Sequence, residues 1–441
     1  MKTRALVPLL LACLLPATCT DEPDPATPSE RKGVTVLLGH WSRGKPYELI
    51  HDSLARFTGQ TGIPVTYVPA PMGKPTRLES YLTWLGRGDK TPDVYQADVT
   101  EIGRLAPHMI DLTPFLAAEA QEQIPSVMAH HYVEGRMVAF PLYTDVGLLL
   151  YRTDLLDAYG FGRPPETWDE LEVMARRIQA GQRAAGRPHF WALAWPGESG
   201  DDLLCVALEV QAAHGGGRIV ESDRTISVNN RGAARAMSRM KGWVGTISPP
   251  GVTAYGPVDA RNLWISGDAA FLLSWPYAYA MSQEEGAPVR GKVGVAAVPS
   301  GGGPRVGTLG GWQLSVSRYS ERPAEAAALV RFLIRREEQK RRAIVLGGLP
   351  PARHLYDDPE VRAAHPHFPM LERLILEGTV VRPATETGSS YTAVSEAYVG
   401  ALHSVLKGEA EPAAALAALE SELAAITGFR TAPAAQADVR P

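Results

Sequence analysis

The chain has 441 residues, 45% hydrophobic and 21% charged, with 44 Lys+Arg against 48 Asp+Glu and a formal net charge of -4. That length holds two large lobes, or about three domains' worth of chain, and can bury a core without covalent staples. It carries no basic excess for a nucleic-acid partner, and its 3 cysteines (Cys13 and Cys19 near the start, Cys205 by itself) exclude a disulfide framework.

Lys2 and Arg4 precede a brief apolar run from Leu6 to Leu15, followed by small residues at Ala17 and Thr18. This order reads as an export signal over residues 1–19, too short to span a bilayer. Later in the chain no unbroken apolar run approaches the roughly eighteen residues of a spanning helix, so the mature protein is expected in the periplasm or cell envelope. Residues 20–32 are polar and Pro-rich, a flexible linker. A lipid on Cys19 would make that linker a tether. Cys13 is a second candidate thiol, and a plain secretory peptide is the remaining alternative.

From Gly33 onward strands and helices alternate. "VTVLLG" at Val34 is a buried strand, Tyr47 to Phe57 has helical apolar spacing, "IPVTYV" is a second strand, Leu78 to Leu85 lies on a second helix, and "PDVYQAD" at Pro92 is a third strand ending on Asp98. A βαβα rhythm predicts a parallel sheet covered by helices, with ligands beyond the carboxyl ends of the strands. "TWDE" at Thr167 is a capping box, with Leu171, Met174, Ala175 and Ile178 on one face behind it. "LLCVAL" around Cys205 reads as a core helix. "AAFLL", "VGVAAV" and "GGWQLSV" between Ala269 and Val316 are strands, the last followed by a helix over Ala324 to Phe332 with Pro323 in its first turn. From Asp358 to Ile426 the chain is mostly helical, and residues 431–441 read as a disordered tail. The Gly/Pro-rich stretches Ser248–Gly256 and Pro299–Gly307 are loops inside the pattern. No clean linker divides the chain, so two lobes with several crossings are expected.

Phosphate-loop, dinucleotide, zinc-protease and nucleophile-elbow motifs are absent. His130–His131 and the "HPHF" pair at His365 lack partners at metal spacing. The first pair is expected at the surface or in a cap. Asp201–Asp202 and Asp357–Asp358 read as turn or cap acids, and Arg335–Arg336 with Arg341–Arg342 as a solvated helix face. No metal or other cofactor is expected.

Trp (9) and Tyr (15) together outnumber Phe (9), favouring rings that stack and also donate a hydrogen bond. A sugar offers apolar C–H faces and a rim of hydroxyls, so its pocket wants Trp or Tyr on the face and Asp or Glu on the rim. Three strings concentrate these types. "PLYTDVG" sets Tyr143 and Asp145 two apart, on one side of an extended chain. "LSWPYAYAM" sets Trp275 and Tyr277 just past a buried strand. "GTLGGWQLSV" sets Gly310 and Gly311 ahead of Trp312, where glycines permit a close backbone approach to a ligand.

These strings, with "PDVYQADV", "VAFPLYTDVGLLLYRTDLLDAYG", "PPETWDELEVMARRI" and "VVRPATETGSSY", resemble an extracellular sugar-binding protein of a bacterial ABC importer, in the trehalose/maltose-binding branch. The likeness runs from about Gly33 to Ala425. It implies an α/β, two-lobed periplasmic-binding-protein fold with crossing hinge strands and a central ligand cleft. The lobes would comprise residues 33–145 with 300–350, and 146–299 with 351–430. It implies a non-enzyme that captures an α-linked disaccharide and, as a monomer, hands it to permease subunits in the inner membrane. It assigns sugar contacts to Asp98, Tyr143, Asp145, Trp275 (stacking) and Tyr277, backbone donors to Gly310 and Gly311, a platform to Trp312, and a bidentate donor to Arg382. Relatives often place an acid or amide after the first strand. Here the loop reads "GHWSRGKPYE", so His40 and Trp41 stand in that place without a carboxylate. The competing readings are a glycoside hydrolase working with Asp98 and Asp145 and a binding protein for a non-sugar solute.

Overall fold

The computed structural model describes residues 33–39, 44–71 and 74–433. The expected export segment with Cys13 and Cys19, the expected linker before Gly33, His40 and Trp41, and the residues after 433 lie outside the described residues.

The strands in chain order are β1 (Val34–Leu37), β2 (Val65–Val68), β3 (Val94–Asp98), β4 (Tyr132–Val133), β5 (Arg136–Met137), β6 (Phe140–Val146), β7 (Leu148–Arg152), β8 (Trp191–Ala194), β9 (Ala269–Ser274), β10 (Val293–Ala296) and β11 (Leu309–Val316). They form a five-stranded sheet in the order β2-β1-β3-β11-β6, a four-stranded sheet in the order β10-β7-β9-β8, and a β4–β5 ribbon. Every residue of β3 and of β9 is buried, as expected of strands covered on both faces. The Thr half of the capping box forms as read, Thr167 Oγ1 accepting from the Glu170 amide at 3.2 Å to start the helix Trp168–Ala184, while the Glu170 carboxylate accepts from the Glu166 amide at 2.8 Å.

The expected all-parallel sheet is only half right. β1 runs parallel to β2 and β3, but β11 lies antiparallel between β3 and β6. The chain reaches β11 from β10, a strand of the other sheet, so it enters the first sheet from the opposite end. The reverse crossing is shorter, because Gly147 is the one residue between β6 of the first sheet and β7 of the second.

One apolar core packs the first sheet around Val34, Phe57, Phe140, Leu314 and Leu333. Another fills the second lobe around Trp168, Trp195, Leu208, Trp243, Phe271 and Leu402, and Cys205 is buried in the helix Asp201–Ala213 of that lobe. A further cluster runs through the crossing, joining Ile124 and Leu309 to Leu148, Leu150 and Leu272.

Two side-chain expectations fail. His131 is fully buried, with Nδ1 on Val127 O at 2.9 Å and Nε2 against Gln313 Oε1, and burial pushes its pKa down to about 4. Arg342 is also buried. It donates to Leu142 O at 2.9 Å and Leu333 O at 2.6 Å rather than to solvent. Both residues satisfy backbone or amide acceptors inside the core, which neighbouring charges in the sequence did not reveal.

Candidate ligand cleft between the lobes

β11 assembles the site. Its Trp312 pairs with Asp98, the last residue of β3, on one side and with Tyr143 of β6 on the other. Two residues back, Gly310 pairs with Asp145. Residues two apart share a sheet face, so Asp98, Trp312, Tyr143 and Asp145 line one surface although they come from three distant strings. A Cβ on Gly310 would lie 3.5 Å from Asp145 Cβ, so the glycine leaves the space beside that carboxyl open.

Gly311 does something different from what its motif suggests. Its φ is +132°, and a Cβ there would lie 2.6 Å from Tyr143 O and 2.8 Å from Thr144 Cα. The close approach it permits is to β6. The carbonyls of the pair are engaged within the protein, Gly310 O by Thr144 Oγ1 at 3.1 Å and Gly311 O by the Val99 amide at 3.3 Å.

Asp98 is 5% exposed and closely held. Its Oδ1 accepts from Thr100 N at 3.0 Å and Thr100 Oγ1 at 2.7 Å, and its own amide donates to Glu101 Oε2 at 2.9 Å. Glu101 in turn grips Arg77 Nη2 at 2.6 Å, and the Arg77 guanidinium sits 4.6 Å from the Trp312 ring centroid. One face of Trp312 is thus covered by a cation fixed by a buried carboxylate. Neither Arg77 nor Glu101 was singled out in the sequence. Both belong to ordinary helical stretches, and their pairing emerges only when helix Lys74–Gly86 packs beside β3.

Arg382 does reach Asp98, but its two terminal nitrogens go to protein carboxylates: Nη2 lies 3.2 Å from Asp98 Oδ1 and Nη1 3.2 Å from Asp201 Oδ2. The bidentate donation expected toward a sugar is made to these acids instead. Asp201, read as a turn or cap acid, sits in the first turn of helix Asp201–Ala213. It accepts from Ser395 Oγ at 2.6 Å and Tyr391 OH at 3.2 Å. Arg382 therefore links β3 of one lobe to two helices of the other. Arg104 Nη1 to Thr392 Oγ1, at 3.1 Å, makes a second bond across the lobes.

The opposite wall is the turn after β9. Trp275 and Tyr277 are half-buried there, and Trp275 O accepts from the Ala278 amide at 3.0 Å to open helix Tyr277–Ser282. The segment Gly347–Leu349 joins this turn to β6. Thr144 and Leu349 exchange backbone bonds at 2.9 and 3.2 Å, a Cβ on Gly348 would touch the Tyr143 ring at 3.2 Å, and one on Gly347 would lie 3.2 Å from Pro276 O.

Electrostatics single out Asp145. Burial, reinforced by the Asp98 charge, pushes its pKa up to about 8. Burial pushes Tyr277 up to about 12 and holds Tyr143 well above the usual phenol range. These are neutral donors and a proton-bearing carboxyl on half-buried side chains. Among the described residues no cluster of three or more His, Cys, Asp or Glu is arranged to hold a metal, and no helix is long and apolar enough to cross a membrane.

Residues 43–340 match the family described as bacterial extracellular solute-binding protein. A Deinococcus radiodurans protein named probable ABC transporter-binding protein is 42% identical over 405 residues, covering 91% of this chain and 96% of its own. Among solved structures, maltose-bound MalE3 of T. maritima superposes with a TM-score of 0.82 at 32% identity, covering 89% of this chain and 98% of its own. The GacH receptor of Streptomyces glaucescens shares the fold, with a TM-score of 0.78 at 22% identity over 90% and 99% of the two chains. With a family match over most of its length and two α/β lobes around a cleft, the chain belongs to the bacterial extracellular solute-binding proteins, the non-catalytic components that bring solute to ABC transporters, and has their periplasmic-binding-protein fold.

Proposed function

We propose that the cleft takes an α-linked disaccharide, trehalose first and maltose next, and that the exported chain delivers it as a monomer to permease subunits in the inner membrane. The observation that carries this reading is the shared face of Asp98, Trp312, Tyr143 and Asp145, with Gly310 leaving room beside Asp145. Carboxylates accept from sugar hydroxyls at the rim, and the uncovered side of Trp312 meets the C–H face of a ring. Trp275 and Tyr277 contribute the second aromatic wall from the other lobe. The maltose bound to the T. maritima relative supports the same ligand class. In this reading Arg382 acts on the sugar through Asp98, holding that carboxylate in place.

The work of binding is closure. A sugar that touches both walls favours the closed arrangement by its extra contacts there, and each tenfold shift of the open–closed balance takes about 1.4 kcal/mol. Charge-assisted hydrogen bonds at roughly 1.5–3 kcal/mol each supply such shifts in a few contacts. Lobe boundaries near residues 145, 300 and 350, and the choice between a Cys19 lipid anchor and a plain signal, remain part of this proposal.

Isothermal calorimetry of the purified mature chain with trehalose, maltose, monosaccharides, a polyamine and amino acids tests it. Heat is expected from an α-linked disaccharide, and silence across all the sugars ends the reading. One observation favours a hydrolase instead: Asp145 holds a proton near neutrality beside Asp98, as an acid catalyst would. Chromatography of the same mixtures after prolonged incubation should show intact sugar, and release of glucose would favour the hydrolase.

A further inference from the structure

Two of the main-chain crossings between the lobes meet at one buried carboxyl. Glu209, on helix Asp201–Ala213 of the second lobe, is 2% exposed. Its Oε1 accepts from the Thr308 amide at 3.0 Å, immediately before β11 enters the first sheet. The Thr308 hydroxyl donates to Cys205 O at 2.8 Å, one turn back on the same helix. The other crossing passes on the same side: a Cβ on Gly147 would overlap the Glu209 carboxyl, and the Gly147 amide donates to Thr308 O at 3.2 Å. A third segment joins them, with Leu309 N donating to Val380 O at 2.9 Å and Val380 N to Gly307 O at 3.1 Å.

We infer that Glu209 is a positioning residue of the hinge, clamping both crossings to the second lobe and so setting the balance between open and closed arrangements. A helix side chain that binds the amide of one crossing and packs on the glycine of the other moves only if both strands move with it. An isolated carboxyl is costly to bury in this place, yet the helix is otherwise apolar here, with Leu208 and Val210 on either side. Burial pushes the Glu209 pKa up to about 8, opposed by the Thr308 amide and hydroxyl. The carboxyl therefore sits neutral in this arrangement at pH 7. Burial and Thr308 account for that shift, with no charged side chain among the described residues contributing to it. Where opening admits water to the hinge, Glu209 ionises more easily, so rising pH favours the open form between the ordinary carboxylate range and about 8.

The inference rests on two-lobed solute binding and not on the identity of the sugar, so its first readout uses the full mature chain without ligand. Small-angle scattering from pH 5 to 9 should show the wild type opening as pH rises. Glu209→Gln, which keeps the shape of the neutral acid, should hold one compactness across that range. Glu209→Ala should open at every pH. If it fails to fold, the Glu209→Gln comparison still decides. Calorimetry with maltose as probe gives a second readout, with the apparent Kd of Glu209→Gln within about twofold of wild type at pH 6. A Glu209→Gln protein that opens with pH just as the wild type does, or a wild type of constant compactness, overturns the inference.

Discussion

Asp145 shows how a residue proposed to bind sugar can oppose stability. Its carboxyl is raised to about 8 in the folded chain by burial and by Asp98. A carboxylate whose folded pKa lies above its unfolded value destabilises progressively as pH climbs from the unfolded value to the folded one, because the unfolded chain sheds the proton first. Asp145→Asn should therefore raise the melting temperature at pH 8, by a stabilisation of about 1–3 kcal/mol, and change little at pH 4. Differential scanning calorimetry at the two pH values checks this. The same variant should lose about ten- to a hundredfold in affinity for the sugar found by calorimetry, the worth of one charge-assisted bond. In the wild type, hydroxyl donors that favour the ionised form should make affinity rise with pH up to about 8, and Asp145→Asn should flatten that slope. Residue type and local string announced Asp145 as a candidate, but its proton could not be read there, because the desolvation comes from walls supplied by other parts of the chain.

At the scale of elements, β11 has the widest consequences. The two glycines ahead of Trp312 differ in their demands, and a pair of substitutions should separate them. Gly311→Ala puts a Cβ 2.6 Å from Tyr143 O at a backbone angle that L residues avoid. It should cost about 2 kcal/mol or more in urea unfolding. Gly310→Ala meets only ordinary contact with Asp145 Cβ. It should unfold like the wild type yet bind sugar more weakly, since the added methyl fills space beside Asp145. The helix Arg336–Leu346 supplies another case. Arg342 donates to two backbone carbonyls from a buried position, and Arg342→Met should cost about 1.5–3 kcal/mol in the same assay by leaving them unmet. Where a string was read as an element it marked that element, as Thr167 and Trp312 illustrate. What they did not mark was adjacency. "GGWQLSV" says strand, but nothing in it says that β3 and β6 lie on either side, or that the pairing runs antiparallel.

The whole molecule depends on what passes between the lobes. Arg382 spans them, holding Asp98 from β3 and Asp201 from helix Asp201–Ala213. Arg382→Met takes away the cation those acids share. Ligand-free scattering should then report a more open chain, and the apparent Kd should rise about tenfold or more as the closed arrangement becomes costlier. A variant as compact as wild type would show instead that closure is held elsewhere, for example at Arg104–Thr392.

Composition, the βαβα rhythm and the aromatic–acid strings, with the family resemblance those strings carry, were enough to expect a two-lobed α/β chain and to point at Asp98, Tyr143, Asp145, Trp275, Tyr277 and Trp312. Those are local properties: side-chain period and the pairing of residue types within a few positions. Only the tertiary structure decided that Asp98, Trp312 and Tyr143 stand in one row, that Arg77 backs the Trp312 ring, that Arg382 is bound to acids, and that Glu209 sits where two crossings meet. Each of these joins residues brought together by strand register or helix packing between distant segments. Such contacts are fixed by the shared burial of many side chains at once, which no short string encodes.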